Sequence, residues 1–155
     1  MQQNFLYSVE REYETNMETM WQAWTSAEAL ESWYFPAGLN SVPGSYVSQA
    51  SVGGTWAAAV DVAAYGFVAY FWGTYSVVET HKKLVHSMSY SQDKAEFDSK
   101  PADAPAHRVE VDFEIRASKV WVRYSQFGEM PAEQIEATQA GMSSYFDSLG
   151  EYLAC

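Results

Sequence analysis

From Phe5 to Tyr13 apolar and polar residues alternate. Phe5, Tyr7 and Val9 fall on one side and Ser8, Glu10 and Glu12 on the other, the period of a half-buried β-strand. Arg11 lies on the apolar side of that pattern. The period then lengthens. Met17, Met20, Trp21 and Trp24 recur every three or four residues, which predicts a short amphipathic helix capped by Thr15 or Asn16, with Glu18 in its first turn. Thr25 or Ser26 can cap a second short helix carrying Ala29, Leu30 and Trp33, and Pro36 and Gly38 end it.

Between Ser45 and Phe127 the pattern is that of an antiparallel meander. Gly53-Gly54 turns into a strand over 55–62 with Trp56, Ala58 and Val60 on one face. A long strand over 68–79 puts Phe71, Gly73, Tyr75 and Val77 on one side, and His81-Lys82-Lys83 makes the turn. Leu84, His86, Met88 and Tyr90 then share a face. The polar stretch 91–106, with Pro101 and Pro105, is predicted as the longest loop. Val109, Val111, Phe113 and Ile115 alternate with Glu110, Asp112 and Glu114, and Val120, Val122 and Tyr124 alternate with Trp121 and Arg123; Ala117-Ser118 joins these two strands as a hairpin.

Pro131 suits the first turn of a final helix, with Glu133 and Glu136 near its positive end. Ile135, Met142, Tyr145, Phe146, Leu149 and Leu153 form its apolar stripe, which lapses at Thr138 and Gln139. A run of antiparallel strands followed by one long amphipathic helix predicts an α+β fold, a curved sheet with one face covered by that helix.

Composition narrows the partners. The chain has 155 residues, suited to a single domain over 1–155, and 48% of them are apolar, which excludes disorder. Its 6 Trp, 11 Tyr and 8 Phe either pack a core or line a cavity. A net charge of −11 repels phosphate backbones and anionic headgroups, so neither nucleic acid nor a membrane surface is an expected partner. One cysteine, Cys155, an N-terminus without signal-peptide features and no bilayer-length apolar run together predict a cytoplasmic protein.

Several local motifs resemble a known family in their correct order. They are Met20-Trp21-Gln22-Ala23-Trp24-Thr25 followed by Leu30 and Trp33, the Gly53-Gly54-Thr55-Trp56 turn, Gly73-Thr74-Tyr75-Ser76-Val77-Val78 with Lys83-Leu84-Val85, and Val109-Glu110-Val111-Asp112-Phe113-Glu114. Together they resemble the bacterial homologues of the activator of heat-shock protein 90 ATPase, in the START-like (SRPBCC) superfamily, from about Phe5 to Leu153. The resemblance implies a helix-grip fold, with two short helices after the first strand and a cavity between sheet and C-terminal helix. The superfamily spans lipid and hormone binders, polyketide cyclases and chaperone regulators, so it leaves function open.

By parity Trp56, Phe71, Tyr75, Tyr124, Met142 and Tyr145 face the space between sheet and helix. Each alone suits plain core packing; as a group around a bent sheet they suggest a pocket for something flat and apolar, with Gly73 and Ala58 removing bulk from it. Met88 and Phe113 share the inward faces of their strands. His86, between Leu84 and Met88, is either a satisfied core histidine or the pocket's polar handle. Arg11 either reaches water at the rim or meets a ligand carboxylate. Trp33, Tyr34 and Phe35 are either a lid anchored to the core or the gate of a pocket mouth. No catalytic, metal-ligating or cofactor motif is found: the histidines His81, His86 and His107 are scattered, and no nucleophile elbow or phosphate loop occurs.

Three functions remain in play: binding of a small hydrophobic molecule, a cyclase or dehydratase using His86 with Tyr75 or Tyr124, and regulation of a chaperone ATPase through the acidic surface. The first is preferred, because no catalytic constellation is found. A chaperone or a second copy of the chain stays open as a macromolecular partner.

Overall fold

The computed structural model describes residues 4–154, so Cys155 lies outside the described residues. Asn16 accepts from Thr19 N and Ser26 from Ala29 N, and these two caps start α1 (Met17–Thr25) and α2 (Ala27–Trp33) directly after strand β1 (Asn4–Tyr13). Short strands β2 (Asn40–Ser41) and β3 (Val47–Ser48) precede β4 (Thr55–Val62), β5 (Phe67–Glu79) and β6 (Lys83–Ser91). Helix α3 (Lys94–Ser99), β7 (His107–Arg116), β8 (Lys119–Gly128) and α4 (Ala132–Ala154) complete the chain. The sheet runs β1-β8-β7-β6-β5-β4-β2, with every pairing antiparallel and β3 beside β4. Among the described residues no helix is long and apolar enough to cross a membrane.

Two bulges change the parity expected from alternation. Phe5 pairs with Phe127 but Tyr7 with Gln126, so the extra residue, Leu6, puts Phe5 and Tyr7 on opposite faces. Tyr7 is buried, whereas Phe5 is 59% exposed and packs edge-on against Phe127. In β5, Tyr75 pairs with His86 and Val78 with Leu84, so Val78 joins the main core in place of the expected Val77.

A second correction concerns the polar stretch 91–106. Asp93 caps the two-turn helix α3 inside it, and Phe97 of that helix stacks on Tyr70 and meets Trp72 edge-on. With Ala57 and Ala59 these rings form a small core on the other face of the sheet. This explains why β4 is apolar at consecutive positions: Trp56 and Ala58 face one core, Ala57 and Ala59 the other. Further along the outward face, Lys83 bridges Glu110 and Asp112, Arg108 pairs with Glu110 and Arg123 with Asp112, so two of the acids that alternate with the apolar positions of β7 are tied into an ion-pair ladder.

Helix α4 grips the sheet along only part of its length. At about 1.5 Å per residue its 23 residues extend roughly 35 Å. In the C-terminal half Met142, Phe146 and Leu149 are buried, each contributing about 1.5–3 kcal/mol by leaving water. Polar stitches fix this half. Arg11 donates from Nη1 to Asp147 Oδ1 at 2.6 Å and from Nη2 to the carbonyl and hydroxyl of Ser143. Tyr13 donates to the Phe146 carbonyl, and Ser148 to that of Phe35. Arg11 therefore ties strand to helix from a partly exposed position at the rim. From Ala132 to Gly141 no residue of the helix is buried. Ile135 packs at the edge of the core and Gln139 donates to the Ser8 carbonyl at 2.9 Å, so this half touches the sheet at β1 and leaves its other side open.

Candidate functional site

On that open side of α4 lies a cavity of about 1070 Å³. One wall is helix α4 from its N-terminal half to just past its middle, through Gln134, Thr138, Gly141, Met142 and Tyr145, which recur at three- and four-residue intervals on one face. The lapse of the apolar stripe at Thr138 is the signature of this wall. A side chain large enough to bridge to the sheet is missing there, and at Gly141 a Cβ would meet nothing within 4 Å.

The facing wall is aromatic. Tyr7, Tyr34 and Tyr124 stand at the inner end, with Phe71, Met88 and Tyr90 along β5 and β6. Tyr34 meets Tyr145 edge-on at 4.9 Å and Tyr7 stacks on Tyr124 at 6.4 Å, a ring arrangement that fixes the wall's shape. Tyr90, half exposed and packed on Phe71, and the exposed Glu129 mark the mouth, which Pro105 to His107 and Glu129 to Pro131 complete.

Burial pushes the phenols of Tyr7, Tyr34, Tyr124 and Tyr145 upward, so all four are neutral at physiological pH. Among the described residues the lining holds no lysine or arginine, and its one carboxylate is Glu129 at the mouth. A short polar chain crosses one side: Tyr7 donates to Gln126 Oε1 at 2.6 Å, Gln126 Nε2 lies 2.6 Å from His107 Nδ1, and His107 Nε2 lies 3.1 Å from the Glu129 carbonyl oxygen.

The family model described as Activator of Hsp90 ATPase homolog 1-like protein matches residues 14–154. The chain belongs to this family. Among solved structures it resembles the AHSA1 protein of Silicibacter pomeroyi, with 16% identity, 96% of each chain covered and a TM-score of 0.78. A Chromobacterium violaceum protein gives 17% identity, 97% of each chain and a TM-score of 0.78. DynU16, from the dynemicin biosynthetic locus, gives 16% identity and a TM-score of 0.69 over 95% of this chain and 46% of its own. No curated protein matches. The likeness to these structures shows the fold, a helix grip.

In this family member the predicted residues divide. Phe71, Met88, Tyr124, Met142 and Tyr145 border the cavity. Trp56, Tyr75 and His86 lie on the other side of Tyr34, around a gap of about 20 Å³ too small for a ligand. His86 is packed against Trp56 at 4.4 Å and Tyr75 at 5.8 Å, with Nδ1 2.9 Å from the Ser87 carbonyl oxygen. It is a core histidine in its surroundings, not a handle in the cavity. Trp33 is fully buried with its indole donating to the Ala23 carbonyl, and Phe113 packs on Trp21 and Trp24. Phe35 is half-buried beside α4 and does not line the cavity. The aromatic triplet is thus an anchor under the helix, and the mouth lies elsewhere.

Sequence reasoning missed Gln126 and His107. Gln126 continues the inward series Val120, Val122, Tyr124, and a polar side chain on that parity was the available signal. Gly128 has no such signal: a Cβ there would lie 2.5 Å from the His107 ring, so this glycine makes room for the imidazole against β8.

Proposed function

We propose that this domain is a cytoplasmic binding module that holds one small, flat, largely apolar molecule in the cavity under the N-terminal half of α4. The observation that carries this reading is the combination of a cavity of about 1070 Å³ with walls of tyrosine, phenylalanine and methionine and few polar groups, the make-up of small-molecule sites. That a protein of the same fold comes from a biosynthetic locus suits a scaffold that meets small organic molecules. No comparable observation favours an enzyme using His86. That histidine and Tyr75 sit outside the cavity, separated from Tyr124, so they do not surround one substrate.

Native mass spectrometry of protein purified without denaturation, followed by calorimetric titration with a panel of aromatic compounds, tests the reading. We expect a bound mass of small-molecule size, or micromolar binding of at least one planar compound. Gly141→Trp places an indole in the open space beside Gly141 and should weaken that binding at least about tenfold without lowering the melting temperature, since the helix loses a glycine. A protein that binds none of the panel, or binds equally well with the indole in place, removes the proposal.

A further inference from the structure

The polar chain on the cavity wall has a direction, and its origin is a backbone carbonyl. Glu129 O can only accept, so the nitrogen facing it, His107 Nε2, must carry the proton. In the neutral imidazole Nδ1 is then an acceptor, and the Gln126 side-chain amide must turn its NH₂ toward it. The amide oxygen is left facing Tyr7, and the single phenolic proton is committed to it at 2.6 Å. With the imidazole neutral, the opposite amide orientation would set a bare Nε2 against the Glu129 oxygen, two acceptors face to face. Packing keeps the chain in place: Gln126 is 3% exposed, and the His107 ring lies against Gly128.

Tyr7 borders the cavity with its proton spent, so it offers the cavity only a lone pair. The Tyr145 hydroxyl and the Gln134 amide can each give or take, so they serve donors and acceptors alike and set no preference between them. With no lysine or arginine among the described lining residues, a bound carboxylate would surrender its hydration to neutral walls and gain no partner charge.

Resting on the proposed binding role, we infer that the cavity favours neutral planar molecules carrying a hydroxyl or N–H donor, which is received by the Tyr7 oxygen, and discriminates against carboxylates. A net hydrogen bond of about 0.5–1.5 kcal/mol corresponds to roughly 2- to 12-fold in affinity.

Calorimetric titration at pH 7 with 2-naphthol, 2-methoxynaphthalene and 2-naphthoate reads this directly. The naphthol should bind about fivefold more tightly than its methyl ether, although the methyl adds apolar surface, and at least about tenfold more tightly than the carboxylate. Gln126→Leu frees the Tyr7 proton, so the hydroxyl can then also donate, and the naphthol-to-ether ratio should fall to about two or less. Tyr7→Phe should collapse the same ratio and serves as the second test if the leucine variant does not fold. Equal binding of naphthol and ether, a carboxylate that binds as well as the naphthol, or a ratio unchanged in both variants overturns the selectivity while leaving the binding role intact. If none of the three probes binds, the selectivity falls, while the binding role stands or falls on the bound mass and the wider aromatic panel.

Discussion

Gly73→Ala is expected to cost at least about 3 kcal/mol, lowering the melting temperature by roughly 10 °C, although it adds a single methyl group. The cause lies across the β5–β6 pairing. Between the Trp72–Ser89 and Tyr75–His86 pairs the Ser87 carbonyl turns to the inner face, where it accepts from Trp56 Nε1 at 2.7 Å and faces His86 Nδ1 at 2.9 Å. The Ser87 hydroxyl in turn accepts from Thr74 N. A Cβ on Gly73 would overlap the Ser87 carbonyl oxygen and stand 2.6 Å from Trp56 Nε1. Backbone and indole would both have to move, leaving buried donors unpaired at about 1–3 kcal/mol each. Gly141→Ala is the internal control. The same chemical change in open space on a helix should raise stability by about 1 kcal/mol. Urea denaturation followed by circular dichroism measures both, and a Gly73→Ala protein as stable as the parent would show that this strand tolerates a side chain.

The same glycine marks the limit of what alternation can convey. Placing Gly73 on the inward face was correct in parity, and its missing bulk does admit something, but the guest is a carbonyl of the neighbouring strand rather than a ligand. Features fixed by nearest-neighbour chemistry were legible. Asn16 and Ser26 compete for orphan N–H groups at helix starts, and Val109, Val111 and Phe113 need one side of a sheet to be dry. Bulges at Leu6 and near Ser76 were not legible, because one extra residue flips parity without altering composition. Helix α3 escaped for a related reason: six residues are too few to display a 3.6-residue period, and Phe97 is its single anchor. The expected cavity between sheet and helix lies where Thr138 and Gly141 replace large residues, a lapse visible in the sequence at Thr138 as an interruption of the stripe. Trp56, Tyr75 and His86 share inward parity with the cavity residues, but they belong to the end of the fold where Tyr34 and the buried half of α4 fill the space. Parity supplies a face. Position along the face depends on which side chains close the gap.

Acid should weaken the fold through His86, by about 2 kcal/mol at pH 5 and about 3 kcal/mol at pH 4 relative to neutrality. Burial lowers its pKa from 6.5 to about 4, a shift that the Ser87 carbonyl only partly offsets. The folded protein therefore keeps the imidazole neutral at pH values where the unfolded chain has already protonated it. Between pH 6.5 and 4 the unfolded state binds more protons, so stability is fully present above pH 6.5, declines as pH falls and levels off below 4 as far as this group is concerned. Nothing near the ring can rescue the cation: Trp56 and Tyr75 are the side chains packed on it, and burial raises the Tyr75 phenol, which stays neutral. Glu110 does not confuse the window above pH 5. Burial acts to raise its pKa, but hydrogen bonds from Lys83 and Arg108 outweigh this and hold the carboxyl below its usual range. His86→Gln keeps a donor for the Ser87 carbonyl and removes the titrating group. Urea midpoints at pH 7.5 and pH 5 should differ markedly in the parent protein and much less in this variant. Equal pH dependence in the two proteins would mean that the imidazole is protonated inside the fold as readily as in water, and the packing described around it could not then be right.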